Sequence, residues 1–316
     1  MSATPALVDT RTHADGTVRL HHTAIARVTE LITAIEPEQW KLPTPCRDWD
    51  VRALVDHLIT EARWTPPLLA GRRPDEVGST LDQPLDSDPV LAWTTAQHDA
   101  RAAADRQTTG HATVHVSAGD IPAHEYLRQV TADYLVHGWD LAVTIGRDET
   151  LDPELVDAVA GWLPSWATAY QDAGMIAAPV SATSDDAQTG LLAAFGRSRT
   201  AEATRAAIAR FGAAFDRCDV DAVMAAMTTD CVFESTSPPD GQRHEGQAAV
   251  RQAWTELFAA SGSAVFETEE LIVCGERAVA RWRYTWAPGP DGHVRGIDVF
   301  EVRDGLIAEK LSYVKG

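Results

Sequence analysis

The stretch PTPCRDWDVRALVDHLI, residues 43–59, decides how the first half of the chain is built. Its two prolines push the residues before them out of helical space, so 43–50 reads as a loop. Asp48 or Asp50 then caps a helix, because a carboxylate there accepts from the free N–H groups of the first turn. Val51, Leu54, Val55, Leu58 and Ile59 follow at i, i+3, i+4, i+7 and i+8, which makes one buried stripe. Gly71 supplies the stop. His57 sits about 60° around this helix from Leu54, at the edge of the stripe.

Working outward, apolar residues recur at helical spacing over about 16–147, with breaks at 43–50, 71–89 and 110–122. Four helices follow, and antiparallel bundle packing is the natural arrangement. The fourth runs from near Pro122 to Ile145, stops at Gly146, and carries Leu127, Val130, Tyr134 and Leu141 on its buried side. A further helical segment, capped by Asp152 with Pro153 at its first position, carries Trp162, Trp166 and Tyr170 and is expected to cover the bundle. Residues 177–190 then turn small and polar.

After Arg199 the pattern changes. Helices are expected over 201–216, 220–228 and 247–260, with a strand over 231–235 before a Pro238-Pro239-Asp240-Gly241 loop. Four strands over 264–274, 277–286, 294–302 and 307–314 are separated by hairpin signals, which predicts an α+β domain whose curved antiparallel sheet wraps a helix. The linker falls near 196–203, giving domains over 15–198 and 199–316.

Composition limits the partners. The formal net charge is −19, and such a surface repels phosphate backbones and anionic lipid, so neither nucleic acid nor membrane is expected. No stretch approaches the roughly 18–20 apolar residues of a membrane span, and no basic region leads into an apolar run near the start, so the cytoplasm is the expected compartment. Cys46, Cys218, Cys231 and Cys274 form no C-x-x-C pair and encode neither a zinc ribbon nor a disulfide framework.

Asp133 and His137 lie i, i+4 on the fourth helix, so with His57 they can face the bundle interior. Two imidazoles and one carboxylate from facing helices suit a first-row divalent metal and leave positions open for water or substrate. Spacing alone leaves a second reading: His57 as a satisfied core histidine, with Asp133 pairing His137 across one turn. Asp140, three residues beyond His137, can bond a ligand imidazole, or instead Arg147 or solvent. Cys46 reads as a packing residue in its proline-bounded loop rather than as a nucleophile.

Residues 43–58 and the segment DYLVHGWDL, 133–141, resemble the two signatures of mycothiol-dependent maleylpyruvate isomerase-like proteins. The resemblance covers roughly 15–200 and implies an all-α DinB-like four-helix bundle in which His57, Asp133 and His137 hold zinc or a similar metal. Nickel, iron and manganese suit the same donors. It also implies mycothiol, a low-molecular-weight thiol activated by the metal for attack on an electrophilic carbon. Members with isomerase activity carry Glu where this chain has Asp133, whose reach is one methylene shorter.

Residues 200–316 resemble SnoaL-like proteins, cone-shaped α+β barrels shared by polyketide cyclases, ketosteroid isomerases and limonene epoxide hydrolases. The local marks are Phe233-Glu234, Gly246, Gly296-Ile297-Asp298-Val299-Phe300 and Arg303-Asp304-Gly305-Leu306-Ile307. Asp298 interrupts an apolar alternation and is the expected pocket carboxylate, with Glu234 as a partner acid or base, or else simply paired with Arg281 or Arg283. Trp254, Trp282, Tyr284 and Trp286 would line a pocket for a ring-bearing ligand, or form plain core. The fold also supports a homodimer.

Three readings follow. The leading one is a metal-dependent, thiol-assisted transferase or isomerase acting on a small electrophilic molecule. The second is a cyclase, isomerase or hydrolase of hydrophobic ring compounds using Asp298 and Glu234. The third is a noncatalytic binder of a small ligand or metal.

Overall fold

The decisive stretch folds around its cap. In the structure, a computed structural model, Asp50 rather than Asp48 closes helix α2 (Val51–Leu69), its side chain accepting from the Ala53 N–H at 2.8 Å. Asp48 instead takes a left-handed conformation, φ 66°, inside the preceding loop. Val51, Leu54, Val55, Leu58 and Ile59 are all fully buried. The structure describes residues 10–46, 48–81, 88–107, 112–117, 119–237, 239–261, 264–288 and 292–315.

The four expected long helices are α1 (Thr10–Thr33), α2, α4 (Pro89–Asp105) and α5 (Ala123–Ile145). Helix α4 packs on both α1 and α2, and Trp93 locks it to α1 by donating to Thr29 Oγ1 at 2.9 Å. Trp93 also meets Tyr134 of α5 edge-on. The breaks hold more structure than their composition suggested: a short helix α3 (Pro74–Leu81), and a hairpin of β1 (Thr113–Val116) and β2 (Gly119–Pro122).

The covering segment is not one helix. Pro164 divides it into α6 (Pro153–Trp162), a single tight turn (Leu163–Ser165) and α7 (Ala167–Asp172), since proline cannot donate within a continuing helix. Another helix, α8 (Ala187–Ala194), starts within the stretch read as small and polar. Asp186 caps it, accepting from Thr189 N–H, and Leu191 and Leu192 are buried.

The chain divides into two compact units between Arg197 and Ser198, with Val143–Gly146 counted with the second. The second unit contains α9 (Arg199–Asp216), α10 (Val220–Ala225) and α11 (Gly246–Ser261). Its strands are β3 (Met227–Glu234), β4 (Arg243–Glu245), β5 (Val265–Cys274), β6 (Arg277–Thr285), β7 (His293–Arg303) and β8 (Leu306–Val314). Their order is β4-β3-β8-β7-β6-β5. The sheet is mixed rather than antiparallel throughout, because β3 returns beside β8 in parallel. The short strand β4, absent from the sequence reading, extends that edge. Phe211, Trp254, Phe233 and Phe300 form the centre of the core between helices and sheet.

Candidate metal centre

Helices α2 and α5 bring His57, Asp133 and His137 together, with one ligand-type atom from each lying within 4.8 Å of the others. His57 Nε2 is 3.2 Å from Asp133 Oδ2, and His137 Nε2 is 3.3 Å from Asp133 Oδ1. Both imidazoles therefore converge on one carboxylate. All three side chains are partly buried. Burial opposes ionisation of Asp133, but the two imidazoles and their hydrogen bonds outweigh it and hold the carboxyl well below its usual range. Burial likewise disfavours charge on His137, and Asp133, Asp140 and Cys46 outweigh it, raising that imidazole well above its ordinary value.

The second nitrogen of His137 is also engaged. Asp140 Oδ2 lies 3.0 Å from its Nδ1, which fixes the ring and leaves Nε2 pointing at Asp133. Asp140 has no exposed surface and is gripped by Arg197, whose Nη2 donates to Oδ2 at 2.8 Å and Nε to Oδ1 at 3.2 Å. The Asp140 partner is thus Arg197, not the Arg147 weighed from sequence.

Arg197 is delivered by the end of α8. The Gly196 N–H bonds Ala193 O, the Arg197 N–H bonds Leu192 O, and Gly196 takes φ 80° between them. This is the helix-ending motif that favours glycine, and a Cβ on Gly196 would stand 2.6 Å from that of Ala177.

Cys46 is more than packing. Its thiol donates to Asp140 Oδ2 at 3.2 Å, Sγ lies 3.5 Å from His137 Nδ1, and Arg197 Nη2 reaches Sγ at 3.4 Å. Burial and the Asp140 charge push this thiol above its ordinary pKa, so it stays protonated. Cys46, His137 and Asp140 also satisfy the spacing of a ligand group, but the Arg197 guanidinium already holds that place against a cation. The neighbouring Trp49 ring lies 5.0 Å from that of His57 and 5.9 Å from that of His137, walling the site.

Sequence reasoning passed over Glu61. It lies one turn beyond His57, so α2 offers His-x-x-x-Glu where α5 offers Asp-x-x-x-His, and that spacing was the available signal. Burial and the Asp133 charge raise Glu61 to about 7, against smaller lowering by His57 and His137.

In the second unit Asp298 and Glu234 are not brought together. Asp298 is buried on the helix-facing side of the sheet, bonded to Ser312 and paired with Lys310. Glu234 alternates with the buried Cys231 and Phe233 and so lies on the opposite face, 3.8 Å from Arg243 rather than near Arg281 or Arg283. Trp254 and Trp282 are buried, whereas Trp286 is half exposed and lines no interior.

Residues 21–142 match the family model of the mycothiol maleylpyruvate isomerase N-terminal domain, and residues 208–310 match that of the SnoaL-like domain. The chain thus carries a match to each of these two domain families, one after the other. An uncharacterized protein of Mycobacterium tuberculosis is 27% identical over 140 residues, which is 43% of this chain and 70% of that protein. Among crystal structures, an NTF2-like protein of unknown function from Mesorhizobium loti is 40% identical, covering 37% of this chain and 93% of its own, with a TM-score of 0.33. A putative ketosteroid isomerase from Kribbella flavida is 21% identical, covering 37% of this chain and 80% of its own, with a TM-score of 0.32. His57, Asp133 and His137 all fall inside the maleylpyruvate isomerase-like match; Arg197, which clamps Asp140, lies beyond it. Among the described residues no helix is long and apolar enough to cross a membrane.

Proposed function

We propose that the maleylpyruvate isomerase-like domain holds one divalent metal ion through His57, Asp133 and His137 and presents a low-molecular-weight thiol, mycothiol by family, to a small electrophilic molecule for transfer or isomerisation. The observation that carries this reading is the convergence of both imidazole Nε2 atoms on the Asp133 carboxylate. The donor set fits: two nitrogens and one oxygen suit zinc first, with nickel, iron or manganese taking the same donors. A divalent cation so held lowers the proton affinity of a thiol that binds it and stabilises the thiolate nucleophile.

The chain's own groups support that chemistry. Asp140 keeps His137 oriented, and Trp49 keeps bulk water from one side of both rings. Glu61, raised to about 7, can accept a proton near neutral pH. The Cys46 thiol is engaged with Asp140 and leaves the nucleophile's role to an external thiol.

Elemental analysis of purified protein beside its His57→Ala variant tests the first step. About one ion per chain, lost with His57, is the expected result. A wild-type protein that stays metal-free after metal is added back would end this reading. Loss of thiol into an adduct with a maleyl-type electrophile, or conversion of that electrophile to its trans isomer with the thiol regenerated, by metal-loaded protein only, tests the second step.

A further inference from the structure

Of the 27 lysine and arginine residues only three are lysines, Lys41, Lys310 and Lys315. Among the described residues every other ion pair made by a lysine or arginine uses arginine, including Arg197–Asp140, Arg243–Glu245 and Arg303–Asp230. Lys310 is the exception and it is buried. It stands on β8 with Cα partners Phe300 on β7 and Phe233 on β3. Its Nζ lies 2.8 Å from Asp298 Oδ2 and donates to Ser312 Oγ at 2.7 Å, and the Ser312 hydroxyl donates to Asp298 Oδ1 at 2.7 Å.

Three rings surround the amine: Phe233, Trp254 and Phe300, with centroids 5.4, 5.7 and 5.8 Å from Nζ. The indole N–H groups of Trp254 and Trp282 are buried and find no hydrogen-bond partner among the described residues. Trp282 is opposite Gly296, two residues from Asp298 on the same face of β7. Lys310 and Ser312 keep 6% and 8% of their surface exposed, so the cluster is not sealed.

Stability does not call for this arrangement, since apolar residues of similar volume join two strands as well as a buried ion pair does. Charge alone does not call for lysine in a chain that elsewhere uses arginine. What lysine adds is a primary amine that can give up a proton and act as a nucleophile, which a guanidinium cannot do. The neighbours match that use: a carboxylate to take the proton and a hydroxyl to relay it.

We propose that Lys310 captures a carbonyl group, condensing with an aldehyde or ketone carried on a flat, largely apolar ligand. The Lys310 ammonium gives one proton to Asp298, and the amine lone pair forms the C–N bond while the carbonyl π pair moves to oxygen. Ser312 relays a second amine proton to that oxygen, Asp298 returns the first, and the C–O bond breaks to release water. Ammonium plus carbonyl thus becomes protonated imine plus water, with no oxidant or reductant consumed. This reaction stands apart from the metal-site reading and needs no metal.

The test uses full-length protein in EDTA with benzaldehyde as probe and sodium cyanoborohydride to reduce any imine, followed by peptide mass mapping. Lys41 and Lys315, both exposed, are internal controls. The expected result is a benzyl group on Lys310 gained about tenfold faster than on either control, with the preference abolished in urea, where all three lysines are equally open. Labelling of Lys41 and Lys315 with Lys310 unmodified, or no faster than they are, would overturn the proposal. Because the comparison is made within the wild-type chain, it does not depend on a Lys310 variant folding.

Discussion

Truncating Arg197→Ala should cost the helical unit about 3–5 kcal/mol, because it strips the main counter-charge from a carboxylate with no exposed surface. A check on the scale of this figure comes from Asp140 itself. Burial alone would raise its pKa, but the Arg197 charge, followed by bonds from His137 and Arg197, brings it from 3.8 to about 2. At about 1.4 kcal/mol per unit, that shift is worth about 2.5 kcal/mol at neutral pH. This stability is present above the unfolded value and is lost as pH falls through about 2. Without Arg197, the burial cost that it now offsets adds to the loss.

Urea denaturation at pH 7 in EDTA, followed by helical ellipticity, measures the effect. The cycle of Arg197→Ala, Asp140→Asn and the double variant should give a coupling of about 2–3 kcal/mol, since neighbours sharing a buried pair are not additive. A loss within about 0.5 kcal/mol, the range of an ordinary surface substitution, would refute the reasoning. The same variant should weaken metal binding about 10- to 100-fold through a loosened His137. Metal affinity unchanged in a folded Arg197→Ala protein would separate a purely structural clamp from one that orients the ligand.

Glu61→Gln should stabilise the metal-free protein by about 3 kcal/mol above pH 7 and by nothing below pH 4.5; a folded-state pKa raised from 4.5 to about 7 means that wild-type stability falls as pH rises through this window, so a pH-independent difference in urea melts would contradict it. On the proposed reading, Asp133→Glu, whose carboxylate reaches one methylene further, should bind one metal per chain with altered affinity, as read by chelator competition. Gly296→Ala should destabilise the SnoaL-like domain by about 1–3 kcal/mol, because its Cβ would come within 2.3 Å of both Trp282 Cζ2 and the Tyr313 carbonyl; thermal melts check this.

What the sequence made legible is what is local. The stripe of α2 and the i, i+4 pair of α5 are read from spacing within one helix, and they carry His57, Asp133 and His137. Cys46 and Arg197 meet Asp140 across 94 and 57 residues of chain, and no periodicity within an element announces such a meeting. Lys310 was hidden for another reason. The pairing of β7 with β8 shifts between Glu301 and Val302, so Ile307 faces Val302 while Lys310 faces Phe300. An extra residue, Ala308, switches which side chains of β8 point inward. Simple alternation from Ile307 puts Lys310 and Ser312 outside, and the bulge puts them in. The parallel return of β3 is likewise a matter of which edge is free, decided by the whole sheet rather than by its own residues.

The loop 43–50 has a logic that a list of ligands misses. Thr44 Oγ1 donates to Trp49 O at 2.9 Å and accepts from the Cys46 N–H at 3.2 Å, so one hydroxyl folds the loop back on itself. That fold sets Cys46 behind His137, Trp49 against both imidazoles, and Asp50 at the helix start, three placements from a single loop. The cap at Asp50 fixes where α2 begins, and with it the height at which His57 and Glu61 meet α5. Side chains held this way have little rotamer freedom left to lose when a cation arrives, and more of the ligand bond energy then appears as affinity. On the proposed reading, the same residues that decide the fold of the helical half also set how firmly its candidate ligands are held, so a change at Thr44 or Trp49 should register in metal affinity although neither residue is among His57, Asp133 and His137.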